Sequence, residues 1–195
     1  MKTIETKLFE FKELSESAKN KAIENERNEE EIFLYFFKED AYEQIKEKGF
    51  LGNIRLNYSL SNCQGDGLSF GFDYYDNLND LFIEVLGSNK QKTIDTIINS
   101  CSFEAQKKSS ANRYCYSSKS DVRFEFDDYS GNNYLIHKVV SEVEEKIQGV
   151  YLELCANLEK QGYEEIEYQQ SDEAIVENFE ENERYFTEDG NEYKY

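Results

Sequence analysis

Ile54-Arg55-Leu56-Asn57-Tyr58-Ser59-Leu60-Ser61-Asn62-Cys63-Gln64-Gly65-Asp66-Gly67-Leu68-Ser69-Phe70-Gly71-Phe72 is the stretch that decides the fold. Ile54, Leu56, Tyr58 and Leu60 alternate with polar residues, and Leu68, Phe70 and Phe72 resume the alternation after Gln64-Gly65-Asp66-Gly67. A period of two places one set of side chains on one face of a pleated strand, so two such runs around a glycine-bearing connection predict an antiparallel hairpin with one face in a core. Material to cover that face lies further on. Ile136, Val139, Val140, Val143, Ile147, Val150, Tyr151, Leu154 and Leu158 recur at three- and four-residue intervals, which predicts a long amphipathic helix over 133–162 with Gly162 as its end. A half-polar antiparallel sheet together with long amphipathic helices packed mainly on one face makes the fold α+β.

Toward the N-terminus, residues 3–11 read as a strand, and Ser15 is a helix N-cap ahead of Ala18, Ala22 and Ile23. In the charged run Glu24 to Glu31 a break or a bend is expected, giving a helix pair or one bent helix. A second helix then buries Ile32, Phe33, Phe36, Phe37, Tyr42 and Ile45 and closes at Gly49. Toward the C-terminus, helical stretches fall at 78–86 and 93–100, followed by a second hairpin of 113–116 with 122–126 around Ser117 to Ser120. Tyr163–Tyr168 reads as a strand. Ser171 caps a last helix with Ala174, Ile175 and Phe179 on its face, and 184–187 close with 191–195 across Asp189-Gly190. Without a repeat or linker, the expectation is one domain over 1–195 with an acidic subregion at 163–195.

Charge limits the function classes. With 22 Lys+Arg against 41 Asp+Glu the formal net charge is −19, yet 38% hydrophobic residues are too many for a disordered chain. So negative a chain repels phosphate, which disfavours direct duplex binding and favours a partner with a basic surface. No apolar run is long enough to span a bilayer and the N-terminus lacks a secretion-signal layout, so no membrane association and a cytoplasmic location are expected. Cys63, Cys101, Cys115 and Cys155 form no closely spaced pair, which makes reduced thiols the default.

Several motifs have to be weighed. In Gln64-Gly65-Asp66-Gly67, backbone N–H groups could face an anion with Asp66 as acid, base or ligand, but a tight turn with two glycines at positive φ accounts for it more simply. Asp73, Asp76 and Asp80 do not match a calcium loop, so no metal is expected. His137 is the sole imidazole, and nothing in the sequence places Cys63 or Cys115 beside it; no cofactor and no catalytic residue are assigned. The acidic distribution tells more. Between Glu164 and Glu192 stand 12 carboxylates against Arg184 alone. A solvated helix face and a soluble terminus is one reading of that pattern. The other, which can hold at the same time, is a partner-binding surface of Glu164, Glu165, Glu167, Asp172, Glu173, Glu177, Glu180 and Glu181, with Tyr168 and Tyr185, joined by Tyr163 and Phe186, as aromatic anchors.

Three patches also carry a family resemblance. Phe11-Lys12-Glu13-Leu14-Ser15-Glu16-Ser17-Ala18-Lys19-Asn20-Lys21-Ala22-Ile23-Glu24 resembles the opening of a family of small phage and prophage proteins. Ile54 to Phe70 looks like that family's strand and Gln-Gly-Asp-Gly loop, and Ser171–Ile175 through Asn182–Gly190 is similar to its acidic tail. Cys63 stands where relatives tend to have Ser, and Arg113-Tyr114-Cys115-Tyr116 holds no histidine. The resemblance implies a mobile-element origin, with action in the bacterial host cell; some members carry an antitoxin-type label.

Taken together, these features lead to the expectation of a non-enzymatic phage inhibitor of a bacterial defence effector, anti-CRISPR-like, whose carboxylates stand in for phosphates on a basic nucleic-acid-binding site. An antitoxin that neutralises a toxin enzyme is the alternative. A third reading is a nucleotide-signal-binding protein using Gln64 and Asp66, with Arg55, Arg113, Lys119 and Arg123 as its cations.

Overall fold

A computed structural model of the chain describes residues 6–29, 32–74, 78–107, 123–128 and 134–194, with side chains at all of these except 74, 100–107, 123–128 and 134–137. In chain order the elements are β1 (Phe9–Glu10), α1 (Glu16–Glu29), α2 (Tyr35–Glu47), β2 (Arg55–Ser59), β3 (Gly67–Tyr74), α3 (Asn79–Leu86), α4 (Gln91–Ser100), β4 (Cys101–Lys107), β5 (Arg123–Asp128), α5 (Tyr134–Gln169), α6 (Asp172–Glu181) and β6 (Tyr185–Phe186). Short 3-10 turns occupy Phe11–Glu13 and Ser88–Lys90. The mixture is α+β with antiparallel strand pairing throughout the described sheets. The chain divides into two compact units, one of 1–34 with 164–195 and the other of 35–163.

The 35–163 unit holds a sheet in the order β2-β3-β4-β5. The decisive hairpin forms with Arg55 opposite Gly71 and Ser59 opposite Gly67. β3 then continues on its other edge with Phe72 opposite Lys107. The partner of β5 is β4, with Cys101 opposite Asp128, whereas the expected hairpin arm 113–116 lies outside the described residues. Phe50, Phe70 and Tyr151 are fully buried, with Phe50–Phe70 ring centroids 5.2 Å apart and Phe70–Tyr151 4.6 Å apart. Each such ring contributes about 2 kcal/mol by leaving water. The Tyr151 hydroxyl, carried on α5, donates to Phe70 O at 2.9 Å and accepts from Phe70 N at 3.2 Å.

Two expectations about α5 are corrected. The helix does not end at Gly162 but runs on to Gln169, and Tyr163–Tyr168 is helical rather than a strand. Gly162 is an interior position of close approach: a Cβ there would lie 2.5 Å from Leu60 Cδ1 and 3.2 Å from Phe37 Cζ. α2 also differs from expectation. It starts at Tyr35, and its buried stripe is Phe37, Ala41 and Ile45, leaving Phe33 before the helix and Phe36 on it exposed.

The other unit is organised around Phe11, Leu14, Ala18, Ala22, Ile175, Phe179 and Phe186. Phe179 meets Phe11 at 5.3 Å and Phe186 at 4.9 Å between centroids. Both serine caps form: Ser15 Oγ accepts from Ala18 N and Ser171 Oγ from Ala174 N. The expected interruption within Glu24 to Glu31 falls at its far end, with α1 stopping at Glu29 and α2 starting at Tyr35. Glu and Arg are good helix formers, and α1 runs to Glu29 with Arg27 donating to Gln170 O at 2.9 Å and pairing with Asp172. The first strand is only Phe9–Glu10, because its partner β6 is two residues long. The C-terminal hairpin closes through Thr187 N to Asn191 O and Tyr193 N to Tyr185 O. Gly190 turns it at φ +83, where a Cβ would collide with the Ala18 carbonyl oxygen.

Candidate functional site

In the Gln64–Gly67 loop, Gly65 and Gly67 adopt φ of 118 and 155, conformations that residues with a Cβ rarely take. Between them Asp66 points inward and accepts from five donors. Oδ1 receives the Ser59 hydroxyl at 2.8 Å and the Cys63 thiol at 3.2 Å. Oδ2 receives Ser61 N at 2.6 Å, Cys63 N at 2.9 Å and the Tyr163 hydroxyl at 2.9 Å. The Cys63 N–H foremost, then the Ser59 hydroxyl, Cys63 thiol and Tyr163 phenol, hold the Asp66 carboxyl far below the usual carboxylate range. Burial and the Asp66 carboxylate push Tyr163 up to about 12, and the same carboxylate raises the Cys63 thiol. A carboxylate so occupied ties the loop to α5; Gln64 remains exposed beside it. Arg55 lies 4.0 Å from Asp73, while Arg113 and Lys119 fall outside the described residues and Arg123 begins β5.

The acidic residues are organised by α6. Ile175 and Phe179, four apart, face the core, so Glu173, Glu177, Glu180 and Glu181 share the outward side. Glu164, Glu167, Asp172, Glu173, Glu177, Glu180 and Glu181 are exposed, and Glu165 is half-buried. Asp172 pairs with Arg27, whereas among the described residues Glu167, Glu173, Glu177, Glu180 and Glu181 enter no ion pair. Arg184, the one cation of this stretch, turns inward: its Nη1 lies 2.7 Å from Glu26 Oε1 and 3.5 Å from Glu192 Oε1. Tyr168 stands among the carboxylates, its hydroxyl 3.5 Å from Glu177 Oε2. Glu177 first, with partial desolvation, Glu173 and Glu165, raises its pKa.

Of the expected aromatic anchors, Tyr168 is exposed and Tyr185 half-buried on β6. Phe186 is enclosed in the core and presents no ring to a partner, while the half-buried Tyr163 has its hydroxyl engaged with Asp66. Phe33, which its spacing assigns to a buried helix face, instead precedes α2 and is 67% exposed. Its signal is the unbroken aliphatic and aromatic run Ile32 to Phe37, too apolar for one face of a helix to bury.

Cys63, exposed, and Cys155, buried, are not joined in a disulfide. His137 lies on α5 with its side chain, like Cys115, outside the described residues. Asp73 is on β3 and Asp80 in the first turn of α3, while Asp76 falls outside the described residues. Among the described residues no three His, Cys, Asp or Glu side chains gather as a metal site would require, and no helix is long and apolar enough to cross a membrane. No protein-family model, curated protein or solved structure matches the chain.

Proposed function

We propose that this chain is a non-enzymatic binding protein that places its α6 face on a basic, nucleic-acid-binding surface of a protein partner. The partner we favour is a bacterial defence effector, as for a phage-borne inhibitor of the anti-CRISPR kind. The observation that carries this reading is the outward row Glu173, Glu177, Glu180 and Glu181, exposed and without an ion pair among the described residues. Carboxylates left unpaired in a chain of net charge −19 repel one another, and a cationic partner relieves that repulsion. The inward turn of Arg184 keeps the stretch's own cation off this face.

The experiment is displacement of labelled nucleic acid from purified defence effectors by the full chain, followed by fluorescence polarisation across a salt series. Stoichiometric displacement that weakens steeply with salt supports the reading, since screening acts on exposed charge pairs. Displacement by none of the effectors, or potency that is flat in salt, overturns it. Neutralisation of a toxin enzyme uses the same face, and rescue by co-expression with a toxin from the same locus would distinguish it.

A further inference from the structure

We propose that Phe33 and Tyr168 are apolar anchors of the partner surface to which the acidic stretch belongs, and that the occupant is an arginine-bearing protein surface whose guanidinium groups stack on these rings while others pair with the carboxylates of that stretch. This rests on the reading of α6 as a partner surface and names the side chains that give it chemical selectivity.

Phe33 is unusual in how it is held. Its N–H donates to Gln169 Oε1 at 3.1 Å, and its carbonyl oxygen accepts from Gln169 Nε2 at 2.8 Å. The Gln169 amide thus engages the backbone of Phe33 as one rung of an antiparallel ladder would. Gln169 is itself fixed, donating to Glu165 Oε1 at 2.7 Å. A residue outside any helix therefore has its backbone pinned while the residue stays 67% exposed. Tyr168, next in sequence to the clamp, is 53% exposed and has its hydroxyl directed toward Glu177. A large ring held in water on an immobilised backbone has its ordering cost met before a partner arrives, which is the property of an interface anchor.

The charge around Tyr168 selects the occupant. Glu165, Glu173 and Glu177 all act on the Tyr168 phenol. A second copy of this chain brings another −19 and is repelled, and a nucleic acid brings phosphates. A cation is required, and one that also accepts an aromatic face. Guanidinium is planar and weakly hydrated, and it can stack on a ring while forking to a carboxylate; ammonium is a compact, strongly hydrated point charge.

The test uses octa-arginine and octa-lysine peptides, equal in charge, with the full chain, read by fluorescence anisotropy. Octa-arginine should bind roughly threefold or more tightly. Phe33→Leu, which keeps an apolar side chain without a π-face, and Tyr168→Ala should each abolish that preference and leave the salt dependence. Both positions are exposed, so thermal melts should stay at the parent value. Equal affinity for the two peptides, or a preference that survives both substitutions, overturns the anchor. If in that case binding still falls on Glu173→Gln with Glu177→Gln, the acidic face stands without the anchor; binding of neither peptide overturns both.

Discussion

The Tyr151 hydroxyl bonds to both backbone polar groups of Phe70, donating at 2.9 Å and accepting at 3.2 Å. β4 is paired with β3 from Phe72 onward, so at Phe70 a helix side chain takes the place of a neighbouring strand. Tyr151→Phe keeps the ring and strips that partner from a buried N–H and C=O. Denaturant unfolding should show a loss of about 1–3 kcal/mol. An unchanged midpoint would mean that the strand edge finds another partner.

Asp66 and Tyr163 give a pH signature of opposite sign at the two ends of the scale. The Asp66 carboxyl is depressed in the fold, so its contribution is present above the unfolded value of about 3.9 and is lost as pH falls below it. Asp66→Asn should lower the melting temperature near neutrality, and the gap to the parent chain should close as the medium is acidified. Tyr163 is raised to about 12, so its contribution is present below the unfolded value of about 10 and lost as pH rises through 12. Phenolate absorbance should show a late-titrating component that shrinks by one tyrosine in Tyr163→Phe.

Two glycines should respond in opposite directions. Gly149 lies exposed within α5 with nothing within 4 Å of an added Cβ, so Gly149→Ala should stabilise by about 0.8–1 kcal/mol. Gly190 has φ +83 and abuts the Ala18 carbonyl, so Gly190→Ala should destabilise by about 2 kcal/mol or more. Thermal or denaturant unfolding of the two variants side by side checks both signs.

Local chemistry made much of the fold legible. Ser15 and Ser171 announce their helices because each has a backbone N–H three residues on to satisfy, and the β2–β3 hairpin follows from strict alternation. The failures lie where tertiary contacts override local preference. Gly162 reads as a helix stop, yet it continues α5 because Leu60 and Phe37 need the space of its missing side chain. β4 carries its own alternation, Cys101, Phe103 and Ala105 against Ser102, Glu104 and Gln106, hidden by its abrupt start at the end of α4. At the candidate site, charge density pointed to α6, but the inward turns of Arg184 and Phe186 and the clamp on Phe33 depend on contacts between residues far apart in the chain.

The central claim is that the location of the carboxylates, and not the total charge, engages the partner. Two variants of equal charge test it. One carries Glu173→Gln, Glu177→Gln, Glu180→Gln and Glu181→Gln; the other carries Glu39→Gln, Asp40→Asn, Glu43→Gln and Glu142→Gln, all exposed positions of the 35–163 unit. In the nucleic-acid displacement assay the first should lose at least about tenfold in potency, as expected for several exposed pairs removed together, and the second should match the parent chain. Equal losses in the two, or full potency in the first, would contradict the account.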